Sequence, residues 1–132
     1  MRIDKDLVAA SATPLVLGIL VDGESYGYAI LQRVNELSGG RMQWTDGMLY
    51  PLLHRLERLG HVSSSWGVSD VGRRRKHYAI TPAGRAALAE RQEQWAVVSG
   101  ALTQVWQAVR DAEVRLPVLP EAGAGRPAEG AL

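Results

Sequence analysis

A threonine and proline at Thr81-Pro82, with no further proline before Pro117, constrain this chain more than any other feature. A capping hydroxyl followed by proline at the first helical position starts a helix, and nothing stops this one before about residue 112, a run of roughly 45 Å. Such a helix outgrows the core that one ordinary domain of 132 residues can bury. Leu88, Trp95, Val98, Leu102, Val105 and Val109 occupy its first and fourth heptad positions, with Arg91 the one interruption, so it is expected to pair with a copy of itself along that seam. Gly100, ~1 kcal/mol worse than alanine in a helix, either breaks the seam or lets two backbones approach closely.

Ahead of this helix, Thr13-Pro14 repeats the start signal and opens the apolar run Leu15 to Val21, which Asp22-Gly23 stops. Residues 1–12 then form an N-terminal arm or an extension of that helix. Ser25 is expected to cap a second helix with Ile30, Leu31, Val34 and Leu37 on its apolar face and Gly39-Gly40 at its end. After a short extended piece, Arg41 to Trp44, Thr45 caps a third helix. Its Leu49, Leu52, Leu53, Leu56 and Leu59 form one face, Tyr50, His54, Arg55 and Arg58 lie away from it, and Gly60 closes it. Gly47 and Pro51 predict an irregular or kinked start.

Val62, Ser64 and Trp66, and then Tyr78 and Ile80, alternate with polar neighbours as two antiparallel strands joined by a long loop, Gly67 to Arg75. From Pro117 onward the chain offers no periodic apolar face, so a disordered tail is expected over 114–132.

Net charge is only +1, yet it is unevenly placed. Residues 1–53 carry four Lys/Arg against six Asp/Glu, residues 54–80 six against two, and residues 81–132 five against six. The basic segment therefore runs from the third helix through the hairpin, where Arg73, Arg74, Arg75 and Lys76 stand together.

With no cysteine, disulfides, thiolate metal sites and cysteine nucleophiles are excluded. Leu7 to Val21 is too short and too polar to span a bilayer, and the acidic residues on both sides of it do not suit a signal peptide, so a cytoplasmic chain with no membrane partner is expected. His54, His61 and His77 lack the spacing of a metal pair, and no nucleophile, base or phosphate loop converges. Neither an enzyme, a cofactor nor a metal is expected.

The order of elements defines the fold class: mainly α with a small β-hairpin (α+β), a winged helix-turn-helix over 13–80 plus a long C-terminal dimerisation helix over 81–113. In a winged helix the third helix enters the DNA major groove and the hairpin loop follows the backbone. A basic tetrad is most often a solvated charge run, but one on a hairpin beside such a helix reads as a contact to double-stranded DNA. A winged helix serving as a protein-interaction module is the alternative, which needs no arginine-rich wing. Trp95, on the pairing seam, reads first as dimer core.

Several stretches resemble the PadR family of bacterial transcriptional regulators. They are Ser25-Tyr26-Gly27-Tyr28, Leu49-Tyr50-Pro51, Leu53-His54-Arg55-Leu56-Glu57, Gly72 through Tyr78, and Thr81 with Gly84-Arg85. The resemblance covers about residues 13–110 and is closest to the smaller subgroup with a short final helix. It implies a homodimeric repressor of a near-palindromic operator, often released by a small effector, and so a second reading of Trp95 as the wall of a pocket for a flat apolar effector, with Trp106 and Trp44 weaker candidates for such a wall. By the same resemblance Tyr26, Tyr28, Tyr50, His54 and Arg55 face DNA, and Arg73 to Lys76 grip the backbone. Where the family pattern has Ser-Pro-Gly-Thr, this chain has Thr45-Asp46-Gly47-Met48, so Thr45 stays a DNA-facing hydroxyl while Met48 puts a thioether in place of one. Asp46 suits the helix N-terminus but would repel a phosphate there.

Overall fold

Residues 1–115 are described by the computed structural model, in the order α1 (Lys5–Val21), β1 (Ser25–Tyr26), α2 (Gly27–Leu37), α3 (Asp46–Arg58), β2 (Val62–Val68), β3 (Arg74–Ile80) and α4 (Pro82–Arg115). They belong to two compact units, Met1–Gln94 and the chain from Trp95 on. Residues 114 and 115 close α4; the rest of the expected tail lies outside the described residues.

The first helix begins well before Thr13-Pro14. Asp4 precedes it with extended backbone, and Pro14 sits inside it. The donor that proline lacks is one backbone bond, whereas extending the helix backwards buries Ala12 and Thr13 and lays Val8 on the core. Residues 5–12 are thus a helix extension.

A short strand replaces the cap expected at Ser25. Ser25 and Tyr26 pair with Tyr78 and His77, and α2 starts only at Gly27, with Tyr26 in the cap position and no side-chain cap bond. Ile30 and Val34 of α2 are buried, but Leu37 lies half-exposed near its end. Gly39 and Gly40, at φ +62° and +82°, turn the chain out of the helix. Residues 41–44 join no strand; Ser38 Oγ accepts from the Met42 amide at 2.9 Å, and Trp44 turns inward.

Thr45 is the cap residue of α3 by backbone, without a side-chain bond, and the helix runs unbroken through Pro51. Leu49, Leu52, Leu53 and Leu56 are buried, whereas Leu59, one turn on and at the helix end, is largely exposed. With Val16, Leu17 and Leu20 of α1, Ile30 and Val34 of α2, and Val62 and Tyr78 of the sheet, they form the core.

The sheet order is β1-β3-β2, antiparallel throughout. Pairing in the hairpin continues to Gly67↔Arg75 and Val68↔Arg74, so the loop is only 69–73, shorter than Gly67 to Arg75. Gly72, at φ +81°, makes its turn. The Ser69 amide bonds Arg73 O at 2.8 Å, and the Arg73 amide bonds Ser69 Oγ at 3.2 Å.

The Thr81-Pro82 signal holds. Thr81 Oγ1 accepts from the Gly84 amide at 3.0 Å and donates to Gly60 O at 2.6 Å, so one hydroxyl caps α4 and ties it to the end of α3. Gly84 lies against the His61 carbonyl, where a Cβ would collide with the oxygen. Within the first unit, Leu88 packs on the core. In the second unit α4 continues without a break through Gly100.

Candidate nucleic-acid interface

Tyr50 and His54 sit one turn apart on the outer face of α3, because the leucines between and around them take the inner one. Opposite them, the turn from β1 into α2 presents Tyr26, Gly27 and Tyr28, and the hairpin presents residues 73–76 with Trp66 and Tyr78. Together these line a groove of about 610 Å³. Gly27 is what lets Tyr50 lie down: a Cβ there would overlap the phenol, with Tyr50 Cζ only 2.7 Å away. Tyr28 is exposed, and its hydroxyl oxygen accepts from Gln32 Nε2 at 3.1 Å.

Each of the three strand cations rests on an aromatic ring. Arg74 lies 4.6 Å from the centre of Trp66, Arg75 3.8 Å from that of Tyr26, and Lys76 Nζ 5.5 Å from that of Tyr78. Strand alternation explains the division: Trp66↔Lys76 and Val68↔Arg74 share one face, while Arg75 and His77 share the other with Tyr26. Lys76 also stands 3.9 Å from Glu57 Oε1, and Ser64 Oγ donates to Glu57 Oε2 at 2.5 Å, which ties the hairpin to α3. Arg73 belongs to the loop and is exposed.

On the far face, His77 Nδ1 is 3.6 Å from Glu24 Oε1 and its ring tilts against Tyr26. Tyr78 is buried and its hydroxyl has no partner. Loss of solvent, reinforced by Glu57 and Tyr50, pushes its phenol above the ordinary value.

Not all of the expected residues meet in this groove. Arg55 and Thr45 are exposed outside it, and Met48 is half-buried against the core. Trp66 was not among the candidates; alternation gave its face, and only the finished sheet shows that Arg74 lies on it. In the second unit Val98, Leu102, Val105 and Val109 of the expected seam are 39–59% exposed, and Trp95 is half-buried. Leu88 is instead engaged by its own core.

Three helices, a hairpin wing and a groove lined by cations define a winged-helix protein of the kind that handles DNA. Residues 16–90 match the transcriptional regulator PadR-like family, and the chain belongs to that family. Its relatives include a transcriptional regulator of Mycobacterium tuberculosis, 45% identical over 75 residues, or 57% of this chain and 66% of the relative. A Lysinibacillus sphaericus protein of uncharacterized role is 29% identical over 93 residues, 70% of this chain and 85% of the relative. A PadR-like transcriptional regulator from Bacillus cereus superposes with a TM-score of 0.69 at 26% identity, over 78% of this chain and 98% of that one. A transcriptional regulator from Clostridium thermocellum gives 0.69 and 26%, over 76% and 97%. The family and these structures are transcriptional regulators rather than enzymes. Among the described residues no helix is long and apolar enough to cross a membrane.

Proposed function

We propose that the chain is a homodimeric repressor of a near-palindromic operator, with the winged helix as reader, α4 as pairing element, and a small apolar effector at Trp95 releasing it. The observation that carries the reading is the groove, where Tyr50 and His54 of α3 face the wing cations across a space lined by Tyr26 and Tyr28. Tyr50 and His54 reach base edges, Arg73 to Lys76 bind phosphates, and Arg55 and Thr45 contact the backbone beyond the groove. The exposed apolar stripe Val98, Leu102, Val105 and Val109 supports pairing of two copies.

Footprinting on the DNA upstream of the protein's own gene tests this. Two protected half-sites about 10 base pairs apart, related by a dyad, are expected. Binding should weaken by ~10³ to 10⁵ between about 50 and 200 mM salt if about six to ten phosphates are contacted. Arg74→Ala with Arg75→Ala should lower both affinity and the salt slope, the latter by ~1 per lost phosphate contact. Unchanged binding in that double variant would refute the role given to the wing. A partner protein captured regardless of wing charge would instead favour an interaction module.

A further inference from the structure

A second cavity, of about 610 Å³, lies away from the groove and wholly within the first unit. Residues 1–3, the start of α1, the irregular 40–44 linker and the first turn of α3 line it, and it is open to solvent on one side. Its size is that of a small-molecule site. Val8, Met42, Trp44 and Met48 give it an apolar wall. Trp44 is only 7% exposed, and its Nε1 is buried with no hydrogen-bond partner. A buried donor left without an acceptor loses its hydration and gains nothing in exchange, so the site has an unmet demand for an acceptor. Met42 and Met48, unbranched and flexible, can yield to admit one.

Charge specifies the ligand further. Arg2, Lys5 and Arg41 line the same cavity, all three are exposed, no carboxylate lines it, and none of the three is in an ion pair among the described residues. Apolar surface below and unpaired cations at the mouth are complementary to one kind of molecule.

We propose that this cavity binds an amphipathic monocarboxylate. Its apolar body lies against Trp44, Met42 and Met48, its anionic group meets Arg2, Lys5 and Arg41, and an oxygen of it accepts from Trp44 Nε1. This site is separate from the seam around Trp95. It also has a mechanical connection to the groove, since Met48 forms its wall while Tyr50, two residues on in α3, lines the groove. An occupant that displaces Met48 therefore shifts Tyr50, a consequence that rests on the DNA-binding reading.

The test uses the full chain, octanoate, and neutral 1-octanol as its uncharged counterpart. The four tryptophans give four indole N–H resonances, and Trp44→Phe identifies the one from Trp44. Octanoate is expected to shift the Trp44 resonance and leave those of Trp66, Trp95 and Trp106 in place. By calorimetry, Arg41→Gln and Lys5→Gln should each weaken octanoate about two- to fivefold and leave 1-octanol unchanged. Movement of Trp95 without Trp44, equal affinity for both probes, or no binding at millimolar octanoate would overturn the proposal. So would a Trp44 resonance that answers to protein concentration and not to octanoate, which would give the cavity to a second copy of the chain. Octanoate is further expected to change the concentration needed for the footprint. Binding at Trp44 with an unchanged footprint removes the connection through Met48, and an absent footprint removes the DNA-binding reading while the site stands.

Discussion

Gly84→Ala sets two effects against each other in one helix. By propensity alone, alanine at this position of α4 should stabilise the fold by ~1 kcal/mol. The structure forbids the gain, because the added Cβ would collide with the His61 carbonyl oxygen and lie 2.8 Å from Ile80 Cγ1. That oxygen already accepts from the Thr81 amide, so the turn cannot retreat without loosening the start of α4. Overpacking of this kind costs about 1–3 kcal/mol, and a displaced threonine cap adds about 1. Subtracting the propensity gain leaves a net loss of about 1–3 kcal/mol. Gly100→Ala is the control: nothing lies within 4 Å of its Cβ, and its heptad position is off the seam, so the full ~1 kcal/mol should appear as stabilisation. Urea unfolding at one fixed protein concentration measures both, with an unchanged m-value required. A Gly84→Ala protein as stable as the parent would refute the steric argument, and a destabilised Gly100→Ala would show that a second backbone approaches there.

The other predictions concern the core, the groove and the seam. Tyr78→Phe removes a buried hydroxyl with no partner, so stability at neutral pH should be equal or higher. Above pH 10.0, the ordinary phenol value, the unfolded Tyr78 ionises while the folded one keeps its proton, so the parent should lose stability there that Tyr78→Phe retains, as paired unfolding curves would show. Gly27→Ala should barely alter stability, since the phenol can swing aside, yet should weaken DNA binding in a gel-shift titration because Tyr50 loses its position. Trp66→Leu removes the ring under Arg74, a cation–π contact of about 0.5–1 kcal/mol, and should weaken DNA two- to fivefold, with Trp66→Tyr recovering most of the loss. If two copies pair along α4 as proposed, Leu102→Glu puts a charge on that seam and should raise the dimer dissociation constant by about tenfold or more in sedimentation equilibrium, and an unchanged constant would refute the proposed seam.

Most of the architecture was legible because its signals were local. Thr81-Pro82, the paired glycines after α2 and the four inward leucines of α3 each act within one or two helical turns, and the structure keeps them. Signals that depend on a distant partner misled. Thr13-Pro14 carries the same pattern as Thr81-Pro82, but burial of Ala12 and Thr13 outweighs one missing backbone donor, and the helix passes through. Ser25 looked like a cap, yet the free edge of β3 recruits Ser25 and Tyr26 as a strand, a pairing across about fifty residues that no local pattern encodes. Leu37 and Leu59 fit their helical faces by period, but both lie at helix ends where no neighbour covers them.

The basic tetrad shows the same division between composition and geometry. Four consecutive cations on a flexible loop would be interchangeable, each free to follow a phosphate. In the folded hairpin only Arg73 is in the loop, and the pleat sends Arg74 and Lys76 to one face and Arg75 to the other. Each strand cation then has a ring to rest on, which would limit the rotamers it gives up in the phosphate contact proposed for it. Lys76 is further restrained by Glu57, so its charge is partly offset before DNA arrives, while Arg73 to Arg75 have no acidic partner among the described residues. The four should therefore contribute unequally. Single alanine variants at Arg74 and Arg75 are expected to weaken binding more than one at Lys76, because Glu57 already offsets the Lys76 charge and, once Lys76 is removed, stays held by Ser64.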